Sequence, residues 1–347
     1  MARVDYKAEW CRYTLDFNFE ARTSRGAMRH KDTYFIRITA PDGRCGIGEV
    51  PLFRGLSQED TPDFENILAD RCRDVTSAEP APSSIAFGIH SAFDNMPHTD
   101  MPEREPSDWE RGLRGIPVNG LVWMGDKRLM QTRISQKLDQ GFRVIKIKIG
   151  GIDFDDELDL IAGLRQCFSR ADLEIRLDAN GAFTPENALE RLQRLAPFGI
   201  HSLEQPIRAG QTEAMAAICD KSPIPVALDE ELIGTRSIEE KAQLIDDIKP
   251  AYLVLKPSLC GGFADAEQYM RLIGPGRWWV TSALESNVGL YAIAKWLSRF
   301  ETDMAQGLGT GLLYTNNIAA PLAMEGNRLW CKPDRPWQDL SSLPWHQ

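Results

Sequence analysis

The sequence lacks any long apolar run. No window of its 347 residues approaches the roughly 18 consecutive apolar residues that a membrane-spanning helix needs. The first residues, 1–5 (MARVD), also lack the apolar stretch of a secretory signal peptide. These absences argue against a membrane protein, and we expect the protein to act in the cytoplasm without a membrane partner.

Closely spaced cysteines are missing as well. The seven cysteines are an odd number, and no two of them have the spacing of zinc ligands or of a redox motif. We therefore expect reduced thiols that pack as small hydrophobic side chains.

An excess of positive charge is also absent. The formal net charge is −10, which argues against nucleic acid or an anionic membrane as the main partner. It does not exclude an anionic small molecule, because a metal ion and a few lysines can set the local sign of the charge. The length and the 43% hydrophobic content suit one large barrel with a smaller companion domain.

Residues 1–108 have the pattern of an α+β capping domain. Apolar and polar residues alternate between Tyr13 and Phe19, and residues 33–39 form a second such run, as antiparallel strands do. Helices are predicted at 60–75 and 83–96. A proline-rich linker is predicted to follow at 97–107.

From residue 109 to 310, short apolar strands alternate with helical stretches. Eight such units predict an α/β fold, a modified TIM-like (β/α) barrel of the (β/α)7β type that lacks one helix. The predicted strands are 117–122, 144–149, 173–178, 200–204, 224–229, 251–256, 278–282 and 304–308. Residues 311–347 show neither the strand pattern nor the helix pattern, and they are expected to return to the capping domain.

A polar and basic segment, residues 21–30 (ARTSRGAMRH), separates the first two strands. It has few apolar anchors, so we expect a mobile loop that closes over the barrel mouth and excludes water. The alternative is a solvated hairpin loop with no role in binding. Its arginines, Arg22, Arg25 and Arg29, distinguish the two, because a lid needs a cation to meet a substrate carboxylate.

Three acidic residues close successive predicted strands: Asp178, Glu204 and Asp229. The carboxyl ends of barrel strands meet at one rim, where barrel active sites are built. Three carboxylates there favour a hard cation, and Mg²⁺ suits a site that leaves ligand positions to water or substrate. Each acid alone could instead cap a helix or pair with a surface lysine, but three in succession favour the metal site.

Lysines flank these carboxylates on both sides. Lys146 and Lys148 alternate with isoleucines in a strand of buried character, and Lys256 ends the sixth predicted strand. A solvated antiparallel strand would also explain the first two lysines. Together with the carboxylates, the pattern favours a base, a metal ion and a second base around one substrate.

The order Lys-x-Lys, Asp, Glu, Asp, Lys over strands two to six resembles the muconate-lactonising-enzyme subgroup of the enolase superfamily. Within it, residues 119–125 (NGLVWMG), 176–181 (RLDANG), 281–286 (TSALES) and 308–311 (LGTG) resemble the o-succinylbenzoate synthase family. The resemblance implies a capped barrel and a dehydratase of menaquinone biosynthesis. It also implies Mg²⁺, with Mn²⁺ as an alternative, and a small-molecule carboxylate substrate. It leaves oligomeric partners open.

The resemblance further implies roles for single residues. Mg²⁺ would bind the substrate carboxylate and stabilise the enediolate that forms as Lys148 removes the neighbouring proton. Lys146 and the metal ion would lower the pKa of Lys148 from about 10.4, because a nearby cation disfavours charged lysine. Lys148 would return the proton to the departing hydroxyl group, and Lys256 would stabilise the intermediate from the opposite face. The expected substrate contacts are Asn180, Ser282, Arg176 and Gly309.

Other reactions use the same residues. An N-succinylamino acid racemase would use both lysines as acid and base, and the sequence leaves this reaction open, as it does a cycloisomerase. Dipeptide epimerases of the subgroup carry Asp-x-Asp on strand eight, but this chain has MAQGLG at 304–309. A non-catalytic binding barrel is disfavoured because the set of lysines and carboxylates is unbroken.

Overall fold

The computed structural model describes residues 6–23, 26–97 and 105–347. Its N-terminal part consists of strands β1 (Lys7–Thr23), β2 (Gly26–Thr39) and β3 (Cys45–Val50) and helices α1 (Phe64–Arg73) and α2 (Ser83–Asp94). The strands form an antiparallel sheet in the order β1-β2-β3. Alternation places Tyr34, Ile36 and Ile38 on the face that packs against both helices. This is the predicted α+β arrangement of strands and helices.

Glycines allow α2 to lie directly on β3. A Cβ atom at Gly48 would lie 2.0 Å from the carbonyl oxygen of Gly88, and one at Gly88 would lie 2.3 Å from Val50 Cγ2. Any larger residue at either position would push the helix away from the strand. The close contact fixes β3, which carries Glu49 towards the barrel.

The prediction that residues 21–30 form a loop is wrong. β1 and β2 are paired through this stretch, with Ala21 opposite Met28. Ala21 is buried and Met28 lines a cavity at the barrel mouth, so the hairpin does have apolar anchors. Residues 24 and 25 and the side chain of Arg22 lie outside the described part of the chain, and a closing motion stays a prediction.

Seven parallel strands and the helices that follow them form the barrel. After a two-residue strand, β4 (Ile116–Pro117), the barrel strands are β5 (Gly120–Val122), β6 (Val144–Lys148), β7 (Glu174–Asp178), β8 (Ser202–Glu204), β9 (Val226–Leu228), β10 (Tyr252–Leu255) and β11 (Trp278–Val280). The helices are α3 (Lys127–Asp139), α4 (Phe154–Cys167), α5 (Pro185–Leu195), α6 (Thr212–Lys221), α7 (Ile238–Ile248), α8 (Phe263–Ile273) and α9 (Asn287–Leu297). The strands are hydrogen-bonded in chain order, as expected for successive βα units.

An eighth segment closes the ring without forming a regular strand. Gln306 forms a parallel bridge to Val118, and Gly307 forms one to Thr281. The segment thereby joins the first strand to the seventh. In the described residues it is followed by a short 3₁₀ turn (Gly309–Leu312) and no α-helix, so the predicted (β/α)7β barrel is confirmed.

The C-terminal residues contact both ends of the molecule. Strands β12 (Leu322–Glu325) and β13 (Arg328–Cys331) join β4 in a small antiparallel sheet at the base of the barrel. Nearer the capping domain, Tyr314 bridges to Phe17 and His346 to Trp10. The segment therefore reaches the barrel base as well as the capping domain. The domain boundaries at 108 and 310 stay predictions, and residues 98–104 of the predicted linker lie outside the described ranges.

The apolar core of the barrel lies between its strands and helices, and a second core fills the space between the capping sheet and its two helices. Within residues 6–23, 26–97 and 105–347, none of the helices combines the length and the apolar character required to span a bilayer.

Candidate active site

Strand register brings the three predicted carboxylates to one rim of the barrel. Asp178 ends β7 directly opposite Glu204, which ends β8, and Asp229 follows β9. The three residues are at most 2% exposed. Because parallel neighbours end at the same rim, residues far apart in the chain meet here.

Two lysines of β6 hold these carboxylates from one side. Lys146 Nζ donates to Glu204 Oε1 at 2.6 Å and lies 3.0 Å from Asp178 Oδ2. Lys148 Nζ donates to Asp178 Oδ2 at 2.9 Å and to Asn180 Oδ1 at 2.6 Å. The spacing of two residues places both ammonium groups on the same face of the strand.

Lys256 approaches from the other side, immediately after β10. Its ammonium group donates to Asp229 Oδ2. Burial opposes the charged form of Lys256, but Asp229 and Glu230 outweigh burial and raise its pKa. All three lysines line one cavity, so positive charge flanks the carboxylates on both sides.

The carboxylates depend on these cations. Burial raises the pKa of Glu204 to about 8, with Asp178 adding to the effect and Lys146 opposing it. Burial also disfavours charged Asp178, but the ammonium groups, above all that of Lys146, outweigh burial and hold its pKa well below the ordinary value. The cluster therefore requires positive charge at its centre, whether from lysine or from a metal ion.

The donor set fits a hard cation, although the lysines occupy its position. Among the described residues, no group of three or more acids, histidines or cysteines is arranged so that it could hold a metal ion as it stands. However, Asp229 Oδ1 is buried and accepts no hydrogen bond from any described residue. A cation that displaced the lysine contacts would meet three hard oxygen donors, which are the ligands that Mg²⁺ prefers.

A small cavity of about 70 Å³ adjoins the lysines and Asp178. Met28, Phe53 and Leu56 of the capping domain line it together with barrel residues. Ligand pockets usually measure roughly 300–1,000 Å³. The cavity is therefore smaller than an ordinary ligand pocket, and capping-domain residues form part of its wall.

Three of the four predicted substrate residues, Asn180, Ser282 and Gly309, line this cavity. Asn180 contacts the candidate base Lys148. The Ser282 hydroxyl donates to the buried carboxylate of Glu285. Ser282 is thus engaged in its own loop, and any contact that it makes to a ligand has to share or replace that hydrogen bond.

The structure contradicts the prediction for Arg176. Its side chain is 2% exposed, donates to Glu174 Oε1 at 2.7 Å and to the Ala305 carbonyl at 2.8 Å, and lies 4.5 Å from the Trp279 ring centre. It lines a separate cavity at the opposite end of the strands. Arg176 shares the inward face with Asp178 and is paired with Lys146, but its side chain turns to the opposite end of the strands, a direction that strand alternation does not reveal.

Sequence reasoning missed three polar residues of the cavity. Asn119, Trp123 and Thr310 line it, and each has a buried side-chain atom without a hydrogen-bond partner among the described residues. Trp123 and Thr310 follow the first and eighth strands, within 119–125 and 308–311, whereas Asn119 precedes β5. The positional rule that identified Asp178 would have identified Trp123 and Thr310 too, but not Asn119.

Comparison with known proteins identifies relatives of this chain. Residues 129–274 match the family model of enolase C-terminal domain-like proteins. The o-succinylbenzoate synthase of Desulfotalea psychrophila is 42% identical to this chain, over 92% of this chain and 97% of that protein. The crystal structure of MenC from Desulfotalea psychrophila has a TM-score of 0.79 at 39% identity, covering 94% of this chain and 99% of that one.

A dipeptide epimerase from Cytophaga hutchinsonii, solved in complex with Mg and the dipeptide D-Ala-L-Val, has a TM-score of 0.79 at 20% identity over 99% of both chains. At that identity the likeness shows a shared fold, in a relative that was crystallised with Mg. The Desulfotalea psychrophila enzyme, by contrast, resembles this chain in sequence over nearly the whole length of both. This chain therefore belongs to the o-succinylbenzoate synthase family of the enolase superfamily.

Proposed function

We propose that this protein is a Mg²⁺-dependent dehydratase that converts 2-succinyl-6-hydroxy-2,4-cyclohexadiene-1-carboxylate to o-succinylbenzoate. One observation carries the proposal: in a chain of this family, lysines on both sides of three buried carboxylates open onto one cavity. A role in menaquinone biosynthesis and a cytoplasmic location belong to the same proposal.

Lys148 acts first as base and then as acid. Its unprotonated Nζ takes the proton next to the ring carboxylate, the C–H electron pair forms a ring double bond, and the C–O bond to the hydroxyl group breaks. Nζ returns the proton to the leaving oxygen, which departs as water. Asp178 and Asn180 hold Nζ at 2.9 and 2.6 Å, and the Trp123 ring centre lies 5.6 Å away, so the base is oriented and shielded.

Lys256 contributes positive charge from the opposite side of the substrate. Asp178, Glu204 and Asp229 would hold the divalent cation, which supplies positive charge beside the substrate carboxylate as negative charge develops there. Mg²⁺ is favoured because every donor is a carboxylate oxygen, and Mn²⁺ accepts the same ligands.

The position of Lys256 also supports a second candidate, an N-succinylamino acid racemase. Lys148 and Lys256 line the same cavity, which is the arrangement that proton exchange on two faces of a substrate requires. In one-way dehydration Lys256 contributes only charge, whereas in racemisation it must exchange a proton itself.

The direct test is to incubate the purified full-length protein with the cyclohexadiene substrate and Mg²⁺ and to follow the formation of the aromatic product. We expect turnover that stops with a chelator and returns with added Mg²⁺. Absence of product, or turnover that persists in strong chelator, would overturn the proposal. In parallel, each enantiomer of an N-succinylamino acid is incubated in deuterated water. Exchange from both enantiomers at rates that rival dehydration would favour the racemase.

A further inference from the structure

Three polar side chains of the cavity have unmet hydrogen-bonding capacity. Asn119, Trp123 and Thr310 are 3%, 5% and 4% exposed. Asn119 Oδ1, Trp123 Nε1 and Thr310 Oγ1 have no hydrogen-bond partner among the described residues. An unsatisfied buried polar group costs about 1–3 kcal/mol, so a ligand in the cavity would gain free energy by forming hydrogen bonds with these atoms.

These residues form one wall of the cavity. Asn119 and Trp123 flank β5, and Thr310 lies in the turn after the eighth segment. The Asn119 backbone N–H donates to the Gln306 carbonyl at 2.9 Å, which joins the first strand to the eighth. In a ring of eight strands, this junction lies across from the strands that carry Asp178, Glu204 and Asp229. The wall therefore faces the candidate metal position.

The chemistry of the wall selects its ligand. The indole N–H of Trp123 can only donate and the Thr310 hydroxyl can donate or accept, whereas the unmet atom of Asn119, Oδ1, can only accept. Among the described lining residues the only cations are Lys146, Lys148 and Lys256, all beside the carboxylates. A second oxygen-bearing group on a substrate would thus meet neutral donors at this wall and no further cation.

We propose that Trp123 and Thr310 donate hydrogen bonds to the carbonyl or carboxylate oxygens of the substrate's side arm, the arm remote from the carboxylate next to the metal. This inference rests on the proposed dehydratase, and it adds the residues that select a substrate bearing such an arm. Leu121 and Leu284, which also line the cavity, supply apolar contacts for the carbon atoms of the arm.

Two single substitutions remove one hydrogen-bonding group each; Thr310→Val keeps the side-chain shape, and Trp123→Phe keeps an aromatic ring of smaller size. Trp123→Phe removes the indole N–H, and Thr310→Val removes the hydroxyl. We expect each to raise KM for the cyclohexadiene substrate about tenfold, the loss of about one hydrogen bond, with kcat little changed. A fall in kcat at unchanged KM would overturn the inference for Trp123, since the ring would then act only through Lys148.

The matched control is Trp10→Phe. The Trp10 indole N–H is also buried without a partner among the described residues, but Trp10 packs against Tyr34 and His346 and does not belong to the described cavity lining. We expect its KM to equal that of the wild type. A tenfold rise in this control would overturn the inference, because any buried tryptophan would then produce the effect.

Calorimetric binding measurements with two ligands distinguish contacts to the side arm from contacts to the ring. Trp123→Phe and Thr310→Val should weaken binding of o-succinylbenzoate about tenfold and leave benzoate, which lacks the arm, unaffected. Equal weakening of both ligands, or of neither, would overturn the inference. If wild type neither dehydrates the cyclohexadiene nor binds o-succinylbenzoate, the proposed function fails; if wild type does both and the variants match it, only the inference fails.

Discussion

Two buried clusters of lysines and carboxylates lie at the barrel mouth, and they are satisfied in opposite ways. The site cluster comprises Lys146, Lys148, Lys256, Asp178, Glu204 and Asp229. The junction cluster comprises Lys31 and Glu49 of the capping domain and Glu285 of the barrel. In both clusters, burial makes isolated charge costly.

In the junction cluster, neutral donors satisfy the carboxylates. Glu49 accepts hydrogen bonds from the Thr33 hydroxyl at 2.7 Å and from the backbone N–H groups of Ser286 and Gly289, each at 2.9 Å. A capping-domain residue thus caps the N-terminus of the barrel helix α9. Lys31 Nζ, by contrast, has no hydrogen-bond partner among the described residues.

In the site cluster, ammonium groups satisfy the carboxylates. Backbone N–H groups and hydroxyls of the junction cannot leave without disrupting the fold, whereas an ammonium group on a side chain can give way to a metal ion. The two clusters therefore suit different roles. The fixed donors of the junction cluster suit a structural contact between the cap and the barrel, and the ammonium groups of the site cluster can be exchanged for a metal ion.

The largest expected effect comes from Lys148→Ala in the site cluster. Loss of the base should lower kcat at least about 10³-fold, while thermal unfolding and Mg²⁺ binding stay close to wild type. Lys148→Arg should not restore activity, because guanidinium remains protonated. Lys31→Met is the matched lysine change at the junction and should keep most of the activity. Dehydration by Lys148→Ala at more than a small fraction of the wild-type rate would refute the role of Lys148.

Glu49→Ala should have the largest effect on stability. The change removes an acceptor of several hydrogen bonds and leaves Lys31 with less compensating charge, so unfolding free energy should fall by about 3 kcal/mol or more. Asp70→Ala, which breaks an exposed ion pair with Arg73, should cost no more than about 1 kcal/mol. Urea denaturation measures both. Equal effects would mean that the junction cluster contributes no more than a surface pair.

Mg²⁺ should distinguish the clusters through thermal stability. At a concentration 100 times its Kd, Mg²⁺ should stabilise the wild type by about 2.7 kcal/mol. Asp229→Asn should lose this response, because a charged ligand becomes neutral, and Glu285→Gln should keep it. Thermal unfolding with and without Mg²⁺ is the measurement. A response that survives in Asp229→Asn would place the metal elsewhere.

The smallest expected effect is a pH dependence of stability from Glu49. Burial raises the pKa of Glu49 above its ordinary value of 4.5, against the opposing charge of Lys31. A carboxyl with a raised folded-state pKa stabilises the fold fully below its unfolded pKa and loses that contribution as the pH rises through the folded pKa. The stability of Glu49→Gln relative to wild type should therefore increase with pH above about 4.5.

Urea titrations of both proteins across this pH range test the expectation, with Asp70→Asn as an exposed control. Lys31, Glu285 and Tyr314 are the other titratable groups whose charges act on Glu49 or respond to it. A difference between Glu49→Gln and wild type that falls with pH would reverse the assigned direction of the pKa shift.

Much of the site could be predicted because its signals are local. Strand alternation places Lys146 and Lys148 on one face, and Asp178 and Glu204 each end a short apolar run. In a barrel, position at a strand end is enough to bring such residues together. Arg176 shows the limit of the method: it is paired with Lys146, which reaches the cavity, but its own side chain turns to Glu174 and the Ala305 carbonyl at the other end of the strands.

The sequence by itself determined the barrel, its lysines and its carboxylates, because periodicity and strand ends are properties of neighbouring residues. Only the tertiary structure decided the junction cluster, in which Glu49 meets Ser286 across 237 positions of the chain. It also decided that residues 21–30 belong mainly to paired strands whose Met28 lines the cavity. No local pattern records which surface a distant segment will cover, because that choice depends on packing between domains.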